Sequence, residues 1–413
     1  MKTTDLIEID RRAKALGESR RQRRDLYAIL KAEQGRHIRG VVGPRGAGKT
    51  ILLQQLAADV GEGGFYLAVD TLDPRTDLYE RVRELSETYR YSCFFIDEIH
   101  YLNDFSGTLK RIYDFLEVTV VFTSSVALRM HEAAHDLARR VRLHRLEYFS
   151  FREYLAFRHG ERVPGLGLTA LLEGAVEPAH LRAEGRFDSY LEGGLVPFAL
   201  EEPQPFPLLE NTIETIIAKD IPQFLRLHVD ELDLLRRMIA FIGRSGVDGI
   251  NYSSLSANLG ITKYKAEQYV SAFERAFILQ CLFPSGTNVL KEPKVLLMPP
   301  LRALYHPTAA EGRGGLREDF FVFAMRQAGY ALSYLKGTRG QKTPDFLLEH
   351  EGRRIVFEIG GKGKGRSQFK GIRADRKIIL AEQAGLSHER MPLHLAGFLR
   401  SDTTSPVQRT EAT

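Results

Sequence analysis

The stretch GPRGAGKT, residues 43–50, sets Gly43, Gly48, Lys49 and Thr50 at the spacing G-x-x-x-x-G-K-T. Glycines at these points let backbone N–H groups converge on phosphate oxygens, and a helix opening at Lys49 adds the favourable end of its dipole. Lys49 then reaches the outer phosphates and Thr50 offers a hydroxyl to Mg²⁺. Gly43, Pro44, Arg45, Gly46, Ala47, Gly48, Lys49, Thr50 and Ile51 are the candidate ATP-binding residues. A second stretch, YSCFFIDEIHYL, ends an apolar run in two adjacent acids, Asp97 and Glu98. Asp97 is placed to hold Mg²⁺ through water, and Glu98 to polarise the attacking water. Further on, TVVFTSS ends in Thr123, Ser124 and Ser125. A hydroxyl there, with Ser124 as the candidate, senses the terminal phosphate or orients water, or else caps the next helix. Arg139 and Arg140 suit either an arginine finger directed at a neighbouring subunit or a surface salt bridge.

A second set of acids lies near the C-terminus. Glu318 on a helix, Asp345 beginning a strand, and Glu358 followed by Lys362 on the next strand are the residue types of a magnesium-dependent nuclease site. Gln368 is placed to complete it. Glu358 and Lys362 stand four apart, with Ile359, Gly360 and Gly361 between them. On a regular strand that offset keeps both side chains on one face but reaches a repeat further than an offset of two, unless the glycines form a bulge. The run GGKGKGRSQFKG carries Lys362, Lys364, Arg366 and Lys370, which can follow a phosphate backbone or form a solvent loop.

These residues need elements to hold them. Periodicity predicts strands at Ile38–Val42, Gly64–Asp70, Cys93–Ile96, Phe346–Leu348 and Ile355–Ile359, and a helix over 315–330. Residues 251–284 divide into a helix from Ser253, a turn at Gly260, a helix capped by Thr262, and a short apolar strand, with Leu255, Leu259, Tyr269, Val270 and Phe273 facing inward. That is the order of a winged helix-turn-helix, which places Lys263 and Lys265 where DNA is met. Glu267 and Glu274 on the same helix dilute its positive charge.

The chain has 413 residues, 43% of them hydrophobic, which is enough for two or three cores. Its net charge of +5 permits nucleic-acid binding without requiring it. The arginine-rich RRAKALGESRRQRR reads as a helix that either touches phosphate or is merely solvated. Cys93 and Cys281 lie in apolar runs, as buried free thiols of a reducing cytosol do. With neither a secretory signal pattern nor an apolar run long enough for a membrane span, a soluble cytoplasmic protein with no membrane partner is expected.

Residues 20–200 resemble the AAA+ class of P-loop ATPases, in particular its archaeal-type branch, through the P-loop, FTSS, LARRVRL, EYFSFREYL and FDSYLEGGLVPFAL. The resemblance implies a RecA-like sheet, Mg-ATP binding and a glutamate-activated water. Many AAA+ proteins carry asparagine where this chain has Ser124, and no arginine matches the usual second sensor. The C-terminal region resembles the restriction-endonuclease fold and the domain of unknown function that follows this ATPase branch. The expected fold class is thus α/β: a RecA-like AAA+ P-loop core, a winged helix-turn-helix middle and a restriction-endonuclease-like α/β C-terminal domain. The expected divisions are a basic helix at 1–36, ATPase core at 37–160, lid or linker helices at 161–235, winged helix at 236–300, nuclease-like domain at 301–400 and a disordered tail at 401–413. The functional expectation is a Mg-dependent ATPase that remodels or translocates along DNA. The alternatives are an ATP-gated switch that binds a protein partner, and an ATP-dependent metal nuclease. A homo-oligomer is expected from the AAA+ resemblance.

Overall fold

Five short strands in the first 148 residues pair as a wholly parallel sheet: β1 (Ile38–Val42), β2 (Gly64–Ala68), β3 (Cys93–Asp97), β4 (Thr119–Ser124) and β5 (Val141–Arg145), in the order β2-β3-β4-β1-β5. β2, β3 and β4 are near-continuously hydrophobic because they are buried on both faces, and Val41, Phe65, Phe94, Ile96 and Phe122 are all buried; β5, VRLHR at the edge of the sheet, is largely exposed or half-buried. The computed structural model describes residues 2–73, 75–125, 137, 139–223, 225, 227–286, 292–306, 309–335, 343–361 and 365–400. It divides into two compact units, Met1–Tyr148 and Phe149–Thr413.

Helices α1 (Thr3–Ser19), α2 (Asp25–Ala32), α3 (Lys49–Val60), α4 (Leu78–Glu87) and α5 (Phe105–Phe115) complete the first unit. The expected single basic helix at the N-terminus is two helices, and neither is merely solvated. Gly17 of α1 lies so close to α3 that a Cβ there would sit 2.3 Å from the Gln54 carbonyl oxygen. Asp10, buried in the same helix, accepts from the Tyr66 N–H at 2.7 Å. Register places the carboxyl ends of β1, β3 and β4 side by side, with Val42 opposite Ser124 and Ile96 opposite Phe122. In open α/β sheets that edge is where ligands bind.

The second unit begins with α6 (Phe151–His159), started by a capping box in which Ser150 and Glu153 exchange hydrogen bonds. After shorter helical turns come α7 (Pro205–Thr215), α8 (Val229–Arg244), α9 (Tyr252–Leu259) and α10 (Lys263–Arg275), then an antiparallel hairpin of β6 (Leu279–Leu282) and β7 (Lys294–Leu297). Gly260 turns the chain between α9 and α10 at φ +67°, and the Thr262 hydroxyl accepts from the Lys265 N–H. Leu255, Leu259, Tyr269, Val270 and Phe273 are buried, as the helical spacing requires.

The last elements are α11 (Ala309–Gln327) and a mixed five-stranded sheet ordered β12-β11-β10-β9-β8. Its strands are β8 (Leu332–Ser333), β9 (Phe346–His350), β10 (Arg353–Gly360), β11 (Arg376–Ala381) and β12 (Arg390–Pro392). β8, β9 and β10 form an antiparallel meander, and β11 and β12 continue in parallel. Phe321 of α11 packs on Phe346 and Phe357, with centroids 5.4 and 5.0 Å away. Gln368 lies in a single 3-10 turn, Ser367–Phe369, in a stretch whose glycines weaken any longer helix. Cys93 and Cys281 are free thiols. No described helix is long and apolar enough to cross a membrane.

Candidate nucleotide site

The phosphate loop leaves β1 at Gly43, where only glycine fits: a Cβ would meet the Leu146 carbonyl oxygen at 2.0 Å. Gly48, at φ +88°, is the left-handed residue that turns the loop into α3. Lys49, 4% exposed, donates from Nζ to the Gly43 and Pro44 carbonyls, each at 2.9 Å. Its ammonium therefore lies back against the start of the loop.

Asp97 ends β3 almost wholly buried. Its Oδ2 accepts from the Tyr66 hydroxyl at 2.8 Å, and its Oδ1 accepts from the Thr123 hydroxyl. Burial pushes the carboxyl up, against hydrogen bonds from Thr123, Thr50 and Tyr66 that hold the charge. Thr50 and Asp97 thus meet across the loop and β3. Their oxygens are the hard donors that suit Mg²⁺.

Glu98 stands just past the strand with φ +52°, a left-handed conformation uncommon for a non-glycine residue. Its own N–H donates to Thr123 Oγ1 at 2.9 Å. Its carboxylate accepts from the Ser125 hydroxyl at 2.7 Å and the Ser125 N–H at 3.2 Å, and lies 3.1 Å from His100 Nδ1. Burial raises this carboxyl, but hydrogen bonds from His100 and Ser125 and the charge of Lys49 outweigh it and hold the group at about 2. Glu98 is therefore an ionised acceptor at neutral pH.

Ser124, the sensing candidate, is buried at the β4 terminus opposite Val42, while its neighbours Thr123 and Ser125 touch the two acids. Arg140 forms a two-pronged ion pair with Asp114, at 2.9 and 3.0 Å, and Arg139 is exposed. Both precede β5, at the end of the sheet opposite the phosphate loop. Sequence reasoning missed Tyr66, His100 and Arg24, the last of which reaches the loop carbonyl of Ala47. Thr123 was recoverable from register, since the step after Ile96 opposite Phe122 sets Asp97 beside it.

The second acidic set assembles differently. Oxygens of Asp248, Glu318 and Asp345 lie within 4.8 Å of one another, and Lys294 Nζ donates to Glu318 at 2.8 Å and to Asp248 at 3.0 Å. Burial pushes Glu318 up to about 7, opposed by Lys294 and reinforced by Asp345. Burial alone would lower Lys294, yet the three acids raise it, so the ammonium stays charged. Glu358 is buried on β10 and is not part of this group, although Asp345 accepts from the next residue's N–H, Ile359, at 2.7 Å. β10 runs unbulged against β11 from Ile355 to Gly360; Lys362 and Lys364 lie outside the described residues. This arrangement fits an ammonium ion better than a divalent metal, because Lys294 already takes two of the acids.

The candidate DNA-contacting lysines are also engaged. Lys263 pairs with Glu292, and Lys265 pairs with Glu231 at 2.5 Å. Arg366 pairs with Glu389, and Lys370 is exposed.

Comparison with known proteins places this geometry in context. Residues 35–155 match the family described as AAA domain, a stretch that includes the phosphate loop and all five strands of the parallel sheet. Residues 186–298 match the domain of unknown function DUF8612, which falls on the middle of the chain and ends before α11. The uncharacterized protein MJ1637 of Methanocaldococcus jannaschii is 26% identical over 90% of this chain and 88% of its own length. Among solved structures, the chain is similar to the Aeropyrum pernix ORC1 protein in complex with DNA, at 16% identity and TM-score 0.32, over 76% of this chain and 93% of that one. It is also similar to the Thermotoga maritima RuvB Holliday junction branch migration motor, at 15% identity and TM-score 0.26, over 68% and 89% of the two chains.

Proposed function

We propose that the first unit binds and hydrolyses Mg-ATP, and that the second unit carries the partner on which this turnover acts. The observation that supports hydrolysis most directly is the meeting, at one sheet edge, of the phosphate-loop Lys49, the Thr50–Asp97 pair and an ionised Glu98. When bound, Mg²⁺ would be held by Thr50 and Asp97 and would neutralise phosphate charge. Glu98 accepts a proton from water or aligns it, and Ser125 and His100 fix the direction of its lone pairs. Ser124 at the β4 terminus is a candidate sensor of the terminal phosphate. An oligomer in which Arg139 serves a neighbouring copy is compatible with its exposure.

For the second unit, the DNA-directed reading draws on a helix-turn-helix followed by a hairpin, within a chain whose net charge is +5. The protein-partner reading gains from the ion pairs that occupy Lys263 and Lys265, since a helix already neutralised by Glu292 and Glu231 has little charge left for phosphate. The test is ATP turnover with and without single-stranded, duplex and branched DNA, with Lys49→Ala as the blank. Stimulation by one DNA form that falls steeply with salt assigns the second unit to DNA. Turnover indifferent to all forms yet lost in the blank assigns it to a protein partner. Turnover unchanged in the blank overturns the ATPase reading. A nuclease would show divalent-metal cleavage abolished by Asp345→Ala with Glu358→Ala, an outcome the position of Lys294 argues against.

A further inference from the structure

The arginine-rich N-terminal run sends one guanidinium to the phosphate loop. Arg24, buried at 8% exposure, donates from Nη1 to the Ala47 carbonyl at 2.6 Å and from Nη2 to the Glu147 carbonyl at 2.8 Å, with the Tyr148 carbonyl at 3.4 Å. From the same segment the Tyr148 hydroxyl donates to the Arg45 carbonyl at 3.2 Å. The Leu146 N–H donates to the Val42 carbonyl at 2.8 Å, just before the loop begins. Residues 146–148 therefore run beside the loop, and Arg24 joins the two.

A trans peptide is planar, with its C=O and the following N–H pointing in opposite directions. A hydrogen bond that fixes the Ala47 carbonyl therefore also fixes the Gly48 N–H, and one that fixes the Arg45 carbonyl fixes the Gly46 N–H. Gly46 and Gly48 are the two loop residues at positive φ, +79° and +88°, where the backbone is least restrained by its own side chains. Resting on the reading of this loop as a nucleotide cradle, we infer that Arg24 and Tyr148 are positioning residues that hold the loop carbonyls from behind and so aim the Gly46 and Gly48 amides at the phosphates. Arg24 lies before the segment that matches the AAA domain family, residues 35–155. An arginine is needed because its planar fork spans two carbonyl sites at once, which an ammonium cannot do in the same geometry.

The experiment is an equilibrium titration of the full-length protein with a fluorescent ATP analogue, alongside steady-state turnover and thermal melting. Arg24→Met is expected to weaken binding about tenfold or more, as loss of a buried charge-assisted bond predicts, with KM rising in step and kcat changed less than about twofold. Arg24→Lys should recover only part of the affinity, and methylguanidine should restore binding to Arg24→Ala. Tyr148→Phe, which removes one hydroxyl, should weaken binding about threefold without moving the melting temperature. Should Arg24→Met fail to fold, Tyr148→Phe and Arg24→Lys carry the test. Binding by Arg24→Met or Tyr148→Phe equal to wild type, with Lys49→Ala inactive, overturns the inference and leaves the nucleotide site intact. Absence of nucleotide binding by the wild type overturns both.

Discussion

Two acidic centres in this chain, one at the end of β3 and one beside α11, solve the same electrostatic problem with different donors. In the first unit, Asp97 and Glu98 are held by hydroxyls, a backbone N–H and an imidazole, from Tyr66, Thr123, Ser125 and His100. Mostly neutral donors fix the carboxylates without neutralising them. In the second unit, Glu318, Asp345 and Asp248 surround the ammonium of Lys294, and the charge is spent internally. Similar residue types thus keep their charge in one place and share it with an ammonium in the other. The donors, rather than the acids, make the difference.

The sharpest way to break this comparison is Glu98→Gln, which keeps the acceptor shape but removes the base. Turnover should fall about a hundredfold to ten-thousandfold while nucleotide binding persists. Because the wild-type carboxyl is held at about 2, it stays ionised through the neutral range, and no acid limb near neutrality in the turnover profile should belong to it. The depressed value also stabilises the fold above the ordinary carboxylate range, and that contribution is lost as pH falls toward about 2. The next largest effect tests the Lys294 cluster. Lys294→Met leaves the mostly covered Glu318 without its counter-ion and should destabilise the second unit by about 1–3 kcal/mol in chemical denaturation. If Lys294 occupies the place of a cation, Mn²⁺ should raise the melting temperature of this variant and leave the wild type unchanged; equal shifts in both would defeat that account.

A smaller effect comes from proton linkage. Glu318 is raised by burial to about 7, so between the ordinary carboxylate value and 7 the folded state binds more protons than the unfolded state. Stability of the second unit should therefore fall as pH rises through that window, and Glu318→Gln should flatten the slope. Denaturant midpoints measured across the window check this, and a slope unchanged by the substitution would mean that another group titrates there.

The phosphate loop and its flanks were legible because their rules are local. A five-residue apolar run, a glycine pair at fixed offsets and a lysine at the helix start gave β1 at Ile38–Val42 and α3 from Lys49, both as expected. Glycine and threonine likewise marked the turn between α9 and α10. What stayed hidden depended on distant partners: Tyr66 reaches Asp97 from a neighbouring strand, and Arg24 reaches Ala47 from outside the sheet. Asp248, between α8 and α9, and Lys294, which opens β7, belong to no motif at all, and only the tertiary fold brings them to Glu318 and Asp345. The nuclease-like spacing drew attention to Glu358 because sequence can count offsets along a strand but cannot show which ammonium will fold into the cluster.

The smallest predicted effect concerns the lysines of α10. Lys263 and Lys265 are half-exposed and paired to Glu292 and Glu231, and Glu231 is held at about 2 by hydrogen bonds from Lys265 and Tyr269. Ion pairs this exposed contribute only about 0.2–1 kcal/mol to stability, so Lys263→Ala should barely move the melting temperature. In the present geometry neither ammonium is released to phosphate, and duplex affinity should change less than about twofold with an unaltered salt dependence. A lysine that does leave its glutamate for the backbone would instead lower the slope of log affinity against log salt by about one when removed. Measuring that slope for Lys263→Ala and Lys265→Ala thus separates a helix closed by its own acids from one that opens onto DNA, and it asks of α10 the question that Lys294 answers for its cluster: whether a cation beside an acid is already spent.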